Sequence, residues 1–227
     1  MLYLISTPIG NLEDITLRAI RLMQEADIIA CEDTRHARIL FERHGIKPRR
    51  LVSYHSQNEK RRASELSEDL RTGATVALIT DAGTPGISDP AWAIVKEALA
   101  LGVEVVPIPG ACAAIAALSA SGLDTNGFVF EGFLPQKKGR QTRLREVSAE
   151  ARTSVIYESP YRIKKLLKEL IEVCGAERGC ALAREITKLH ETFYRGTLTE
   201  VLEAIEKKFP EDVKGECVLV LEGKEGK

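Results

Sequence analysis

The stretch LITDAGTPGISDP, Leu78–Pro90, begins as an apolar strand and ends in a loop with two glycines, two prolines and two aspartates. Glycine lets a ligand approach the backbone and permits a positive φ, whereas proline stiffens a loop. The loop has neither the G-x-G-x-x-G nor the G-x-x-x-x-G-K-[ST] spacing of common phosphate sites. Ligands of open α/β sheets lie beyond the carboxyl ends of the strands, so this segment predicts a rigid binding edge on such a sheet.

Strand and helix patterns alternate along the whole chain. Apolar strand-like runs such as TVALIT are separated by amphipathic segments such as TRHARILFERHG, and two successive strand-like segments late in the chain indicate a mixed second sheet. The alternation predicts an α/β fold with helices covering the sheets. The pattern is interrupted near residues 111–125, which predicts two domains, 1–113 and 114–227. We expect Asp14 to cap the first helix, and Asp89 with Pro90 to begin the fourth.

Composition limits the classes of protein that the chain can represent. The 227 residues are 44% hydrophobic with a formal net charge of -1, so any binding of nucleic acid must depend on a local patch. No apolar run approaches the roughly 20 residues that cross a bilayer, and the N-terminus does not resemble a signal peptide. The five cysteines include no C-x-x-C pair. We therefore expect a cytoplasmic protein with reduced thiols, no metal site and no membrane partner.

Three strand ends of the first half carry similar loops, STPIGNLED, TDAGTPGISDP and PIPGACAA, each of which combines glycine with proline. One such loop is most simply a tight turn, but three at successive strand ends favour a ligand site. Asp81 and Asp89 are present and lysine is absent, which disfavours an anionic ligand. A cationic or zwitterionic ligand with hydroxyl groups fits better, and S-adenosylmethionine is one.

Eight segments together resemble a known family: TPIGNLEDIT, CEDTR, SYH, DAGTPGISDP, PIPGACAA, ESPYR, AREITKLHETFYRGT and GECVLVLEG. In order and over nearly the whole chain, they are similar to the ribosomal RNA small subunit methyltransferase I family, a branch of the tetrapyrrole-methylase-like (class III) methyltransferases. The resemblance implies 2'-O-methylation of a cytidine in 16S rRNA of the small ribosomal subunit, with S-adenosylmethionine as methyl donor. It also implies a homodimer of two-domain chains, with the donor in the cleft between the domains.

By the same resemblance, a set of residues would bind the donor: Pro8, Asp81, Gly83, Thr84, Ile87, Ala111 and Cys112 in the first half, with Tyr157, Ala183 and Glu216 in the second. The family pattern has serine where this chain has Cys112, and a thiol is the weaker hydrogen-bond partner. The sulfonium is already a good leaving group, so methyl transfer requires no metal.

The acceptor hydroxyl needs alignment and a general base. Polar residues at strand ends supply candidates, namely Glu32, Asp33, Arg35, Glu158, Arg184, Glu185 and Lys188. Asp33 could instead cap a helix, and the last three could form an ion-pair network. The sequence does not select the base.

The segment QKKGRQTRLR, 136–145, has five cations and no acid. It predicts a patch that attracts phosphate, and we expect Lys137, Lys138, Arg140, Arg143 and, from ESPYR, Arg162 to contact RNA. A solvated basic surface, or a salt bridge for Arg162, is the alternative.

Three other functions are weighed. A methyltransferase that acts on a tetrapyrrole or precorrin would share the donor pocket, but it would have a different opening motif and no basic loop. An RNA-binding module without activity would not bind the donor. An NAD-dependent oxidoreductase would need the G-x-G-x-x-G fingerprint, which is absent.

Overall fold

The computed structural model describes residues 1–224, and the chain divides into two compact units after Cys112. The first unit contains strands β1 (Leu2–Ile5), β2 (Ile28–Cys31), β3 (Leu51–Ser53), β4 (Val76–Ile79) and β5 (Val105–Ile108), with helices α1 (Leu17–Glu25), α2 (Thr34–His44), α3 (Glu59–Arg71) and α4 (Trp92–Ala100). The second contains helices α5 (Ala113–Ser119), α6 (Arg140–Ala149), α7 (Ile163–Cys174) and α8 (Leu198–Lys208). Its strands are β6 (Phe128–Phe133), β7 (Thr153–Glu158), β8 (Gly179–Arg184), β9 (Thr192–Thr197) and β10 (Cys217–Leu221).

The first unit is built on a parallel sheet in the order β3-β2-β4-β1-β5. Successive residues of a strand face opposite sides, and both sides are apolar. Ile29 and Cys31 belong to a core with residues of α1 and α2, whereas Ile28 and Ala30 belong to a core with residues of α3 and α4. Because the five strands are parallel, their carboxyl ends all lie at one edge of the sheet.

The second unit has a mixed sheet in the order β6-β7-β10-β8-β9, in which β6 and β7 are parallel and the other neighbours are antiparallel. One face carries a core with side chains from α6, α7 and α8, including Ile156, Leu182 and Leu219. Helix α5 packs against β7 and β10, and the Ala114 amide donates a hydrogen bond to the Tyr157 hydroxyl at 3.0 Å. Both sheets of the predicted α/β fold are confirmed, including the mixed character of the second.

Two of the expected helix caps are wrong. Helix α1 is capped by Thr16, whose hydroxyl accepts from the Ala19 amide at 3.1 Å, and not by Asp14. Helix α4 begins at Trp92, with no side-chain hydrogen bond at its N-cap, so Asp89 does not cap it. Asp33 caps α2, which is the alternative that the sequence left open for this residue, and Gly45 ends that helix in the left-handed conformation.

Candidate active site at the carboxyl edge of the first sheet

The loops that follow β1, β4 and β5 are tied together through a single hydroxyl group. Thr84 Oγ1 donates to the Ala111 carbonyl oxygen at 3.1 Å and lies 2.9 Å from Ser6 Oγ. Because a threonine hydroxyl has only one proton, Ser6 must be the donor in the second bond. Thr84, expected to bind the donor, therefore holds three loops in place.

A two-way backbone bridge joins the first two of these loops. Thr7 N donates to Gly83 O at 2.9 Å, and Gly83 N donates to Thr7 O at 3.0 Å. Gly83 has φ +86, a conformation that side chains disfavour. Gly110 allows the loop after β5 to approach Ser6 closely, since a Cβ at position 110 would lie 2.7 Å from Ser6 Cβ. Sequence reasoning missed Ser6, Thr7 and Gly110 as site residues, although all three lie inside the quoted motifs.

Carboxylates gather beside these loops. Burial, followed by the charges of Glu32 and Asp81, raises the pKa of Asp89 to about 6, against the hydrogen bond from Thr80. Burial also raises the pKa of Glu32, with Asp81 adding to the shift and His55 opposing it. A cation bound at this edge would relieve the repulsion among the three acids.

The hydrogen-bond partners of these acids distinguish Glu32 from its neighbours. Asp81 Oδ1 accepts from the Asp33 amide at 3.0 Å, which ties the ends of β2 and β4 together. Asp33 Oδ1 accepts from the Arg35 amide at 2.8 Å, and its other oxygen pairs with the Arg35 guanidinium at 2.6 Å. The guanidinium and this amide hold the pKa of Asp33 well below its usual range. Within residues 1–224, the Glu32 carboxylate makes neither a hydrogen bond nor an ion pair.

In the second unit, Glu158 and Arg184 lie in one row of the sheet, because both are paired with Cys217 of β10. Their side chains share the face of Ile156 and Leu182, which the helices cover. Glu158 is 3% exposed and its Oε1 accepts from Arg162 Nε at 2.8 Å. Arg184 is 8% exposed and donates to the carbonyl oxygens of Lys214 and His190. The geometry gives both residues, and Arg162, a role in holding this end of the sheet.

Glu185 and Lys188 also bind each other. Lys188 Nζ lies 3.0 Å from Glu185 Oε1 and 2.8 Å from Glu216 Oε2, and the Glu216 amide donates to Glu185 Oε1. The ion-pair network that the sequence left open as an alternative is therefore present for Glu185 and Lys188, with Glu216, but it does not include Arg184.

The expected donor residues differ in accessibility. Ile87 is exposed at 40%, and Cys112 is partly buried. The Tyr157 hydroxyl accepts a hydrogen bond from the Ala114 amide. Ala183 is 1% exposed and its strand is paired on both sides, so the expectation that it contacts a ligand is not supported by its burial.

The basic segment 136–145 has fewer exposed and unpaired cations in the fold than its sequence suggests. Arg140 is 5% exposed and donates to Glu169 and to the Pro135 carbonyl oxygen. It therefore cannot contact RNA as expected, and we withdraw it from the candidate RNA contacts. Arg143 is paired with Glu131 and Glu146. Lys137 and Lys138 remain exposed.

Over residues 1–224, no group of three or more histidine, cysteine or acidic residues has the geometry of a metal site. In the same range, no helix is long and apolar enough to span a membrane. All five cysteines are free thiols, and Cys31, Cys180 and Cys217 are buried.

Comparison with known proteins gives a consistent result. The model of the family described as tetrapyrrole (corrin/porphyrin) methylases matches residues 1–202. Proteins named ribosomal RNA small subunit methyltransferase I are similar over nearly the full chain. The Haemophilus influenzae protein is 47% identical over 225 residues, which are 99% of this chain and 79% of that protein. The Halalkalibacterium halodurans protein is 48% identical over 223 residues, 98% of this chain and 75% of that protein.

Solved structures share the fold at low identity. Uroporphyrin-III C-methyltransferase from Thermus thermophilus, complexed with S-adenosyl homocysteine, superposes with a TM-score of 0.68 at 22% identity, covering 97% of this chain and 96% of that one. A diphthine synthase superposes with a TM-score of 0.74 at 18% identity, covering 98% and 90%. The family match over most of the sequence, and relatives that share nearly half of its residues, show that this chain belongs to the tetrapyrrole methylase family and, within it, to the ribosomal RNA small subunit methyltransferases I.

Proposed function

We propose that the protein transfers a methyl group from S-adenosylmethionine to the ribose 2'-hydroxyl of a cytidine in 16S rRNA. The observation that carries the proposal is the carboxyl edge of the first sheet. There, three interlocked loops lie beside three carboxylates, in a chain whose relatives are named for methylation of small-subunit ribosomal RNA. A rigid edge of this kind can hold a small cation and exclude anions.

The residues present fit the donor by charge. S-adenosylmethionine supplies an electrophilic methyl group on a positively charged sulfur. The charges of Asp81 and Asp89 would offset that cation, since both carboxylates lie at the same edge, where the charge of Asp81 contributes to the raised pKa of Asp89. Near them, the side chains of Ile87 and Cys112 are at least partly exposed and offer apolar surface for the rest of the molecule. Pro8, Gly83, Ala111, Tyr157 and Glu216 remain predictions from the resemblance.

Glu32 is the carboxylate that we assign as general base. The other acids of the candidate set, Asp33, Glu158 and Glu185, accept hydrogen bonds from arginine, lysine or backbone groups. Burial and the charge of Asp81 raise the pKa of Glu32, which makes it a better proton acceptor than an ordinary carboxylate. It would take the proton of the 2'-hydroxyl as the oxygen forms its bond to the methyl carbon and the carbon–sulfur bond breaks.

The proposal also includes features that come from the resemblance alone. They are a homodimer and, as substrate, the assembled small subunit or its RNA. A cytoplasmic location is the expectation from the cysteines of the sequence. Lys137, Lys138 and Arg143 remain candidate RNA contacts.

The test uses small ribosomal subunits that lack 2'-O-methyl groups at the cytidines of interest. The protein should transfer label from S-adenosylmethionine to the RNA, and mapping should place it on a cytidine ribose. Glu32→Gln should bind S-adenosyl homocysteine as the wild type does, but lose methyl transfer by about 10²- to 10⁴-fold, the usual contribution of a general base. Labelling of uroporphyrinogen III instead of RNA would favour the tetrapyrrole alternative, and absence of donor binding would favour the RNA-binding module.

A further inference from the structure

We propose that the exposed face of α2 formed by Arg35, His36, Arg38 and Ile39, here called the α2 face, docks the phosphate backbone of the RNA substrate. The inference rests on the proposed function, because it assumes that the acceptor is RNA. It adds a surface of the first unit to the basic segment 136–145 of the second unit.

The position of α2 is fixed relative to the carboxylates. The helix begins three residues after β2 ends, and its cap Asp33 donates its amide to Asp81 Oδ1 at 3.0 Å. Ala37, Leu40 and Phe41 bury the opposite side of the helix. Arg35 and Arg38 lie on one exposed face, about 4.5 Å apart along the axis at 1.5 Å per residue. The α2 face therefore starts directly beside Glu32.

The charges on this face give little stability to the helix. Arg35 lies in the first turn, where the helix dipole disfavours cations. The Arg35 side chain is 86% exposed, although it pairs with Asp33. Within residues 1–224, the side chains of His36 and Arg38 make neither a hydrogen bond nor an ion pair, and both residues are exposed. Arg43, by contrast, lies in the last turn and pairs with Glu13 at 3.4 Å.

An RNA acceptor creates a need for such cations. Glu32, Asp81 and Asp89 suit a cationic donor, but they repel the phosphates that flank an acceptor ribose. Cations next to these acids would compensate that repulsion and hold the strand with a ribose near Glu32. The segment 136–145 supplies fewer free charges than its sequence indicates, since Arg140 and Arg143 are paired with acids.

The experiment compares Arg38→Gln with Arg43→Gln, which removes the same charge from the other end of the same helix. Binding of unmethylated small subunits and methylation rates are measured from 50 to 300 mM salt. Arg38→Gln should raise KM for the subunits about fivefold and reduce the salt slope of binding by about 0.7 to 1, the value of one phosphate contact. Arg38→Lys should restore most of the loss, and affinity for S-adenosyl homocysteine should not change in any variant.

Equal KM and salt slope in Arg38→Gln and the wild type would overturn the inference while leaving the proposed function intact. An equal loss in Arg43→Gln would also overturn it, because the effect would then be one of total charge. A wild-type protein that binds the donor but methylates no ribosomal RNA would overturn the proposed function itself, and the α2 face with it. Circular dichroism of each variant checks that the exposed substitutions leave the fold unchanged.

Discussion

Glu32 and Asp33 are neighbours in the chain, yet their surroundings shift their pKa values in opposite directions. Asp33 caps α2 and holds Arg35, which stabilises its ionised form. Glu32 is partly buried near other acids, which favours its protonated form. The sequence CEDTR places both acids at a strand end, but it cannot show which of them is occupied by the helix cap. Only the hydrogen bonds separate a structural acid from one that is free to react.

The raised pKa of Asp89 predicts how donor binding depends on pH. The folded protein holds this proton more tightly than an unfolded chain, so Asp89 is largely neutral at pH 5 and ionised at pH 7. A sulfonium should therefore bind more tightly as the pH rises through about 6, whereas a neutral thioether should not. We expect the affinity ratio of S-adenosylmethionine to S-adenosyl homocysteine to rise about tenfold, roughly 1.4 kcal/mol, between pH 5 and 7.

Calorimetry with both compounds measures that ratio. The two compounds share the amino acid moiety, so any effect of its titration on affinity cancels in the ratio. In Asp89→Asn the ratio should be nearly independent of pH. A ratio in the wild type that stays constant from pH 5 to 7 would show that Asp89 does not act on the sulfonium.

Gly110 provides a test of the loop contacts. In Gly110→Ala, the new Cβ would lie 2.7 Å from Ser6 Cβ, and Ser6 is the residue that donates to Thr84. We expect a loss of about 1–3 kcal/mol in the free energy of unfolding, together with weaker donor binding. Gly127→Ala is the matched control, since its nearest neighbour would be an ordinary 3.7 Å contact with the Arg152 side chain. Urea titration and calorimetry measure both effects, and equal behaviour of the two variants would contradict this reading.

At the scale of strands and helices, successive residues of β7 and β8 point to opposite faces of the sheet, which separates the residues of one motif into two groups. Tyr157 and Ala183 are paired with Val218, whereas Glu158 and Arg184 are paired with Cys217 one position along. Neighbours in a strand face opposite sides, so Glu158 and Arg184 lie on the face covered by α6, α7 and α8. Residues that are adjacent in a motif thus need not act at the same site.

Glu158→Gln tests this structural assignment. The change removes a buried charge from Arg162, and from Arg140, whose Nη1 lies 3.8 Å from Glu158 Oε2. Breaking one partner of a buried pair should cost about 3 kcal/mol of the free energy of unfolding. Glu206→Gln, which breaks the exposed pair with Lys168, should change stability little. If Glu158→Gln is as stable as the wild type but inactive, Glu158 acts in catalysis and the assignment is wrong.

Most of the secondary structure could be predicted because its signals are local. Every strand-like and helical segment of the sequence has a counterpart within residues 1–224, since apolar periodicity and the cap of α2 depend on nearby residues. The wrong caps show the limit: Asp89 precedes proline near a helix start, but the carboxylate lies with Glu32 and Asp81 instead. The burial of Arg140 was equally hidden, because its partner Glu169 lies 29 residues away.

At the scale of the whole molecule, the carboxyl edge of a parallel sheet concentrates loops that are distant in sequence. Residues 6–7, 32–33, 81–89 and 110–111 meet there because β2, β4, β1 and β5 are adjacent and run in one direction. The loops are held by bonds to one another, so the edge is formed before any ligand arrives. Little of the binding energy should then be spent on ordering the loops.

A preformed site for a cation should therefore make the stability of the whole protein depend on its ligand. S-adenosyl homocysteine at 100 times its Kd should add about 2.7 kcal/mol and raise Tm by roughly 5–10 °C for a chain of this size. Asp81→Ala should lower Tm without ligand, since it removes the acceptor of the Asp33 amide, and should also show a smaller ligand-induced shift with S-adenosylmethionine. Adenosine triphosphate, which shares the adenosine but carries phosphates, should give no shift because the acids repel it. Scanning calorimetry measures all three, and a shift with the triphosphate as large as that with the methyl donor would show that charge does not select the ligand at this edge.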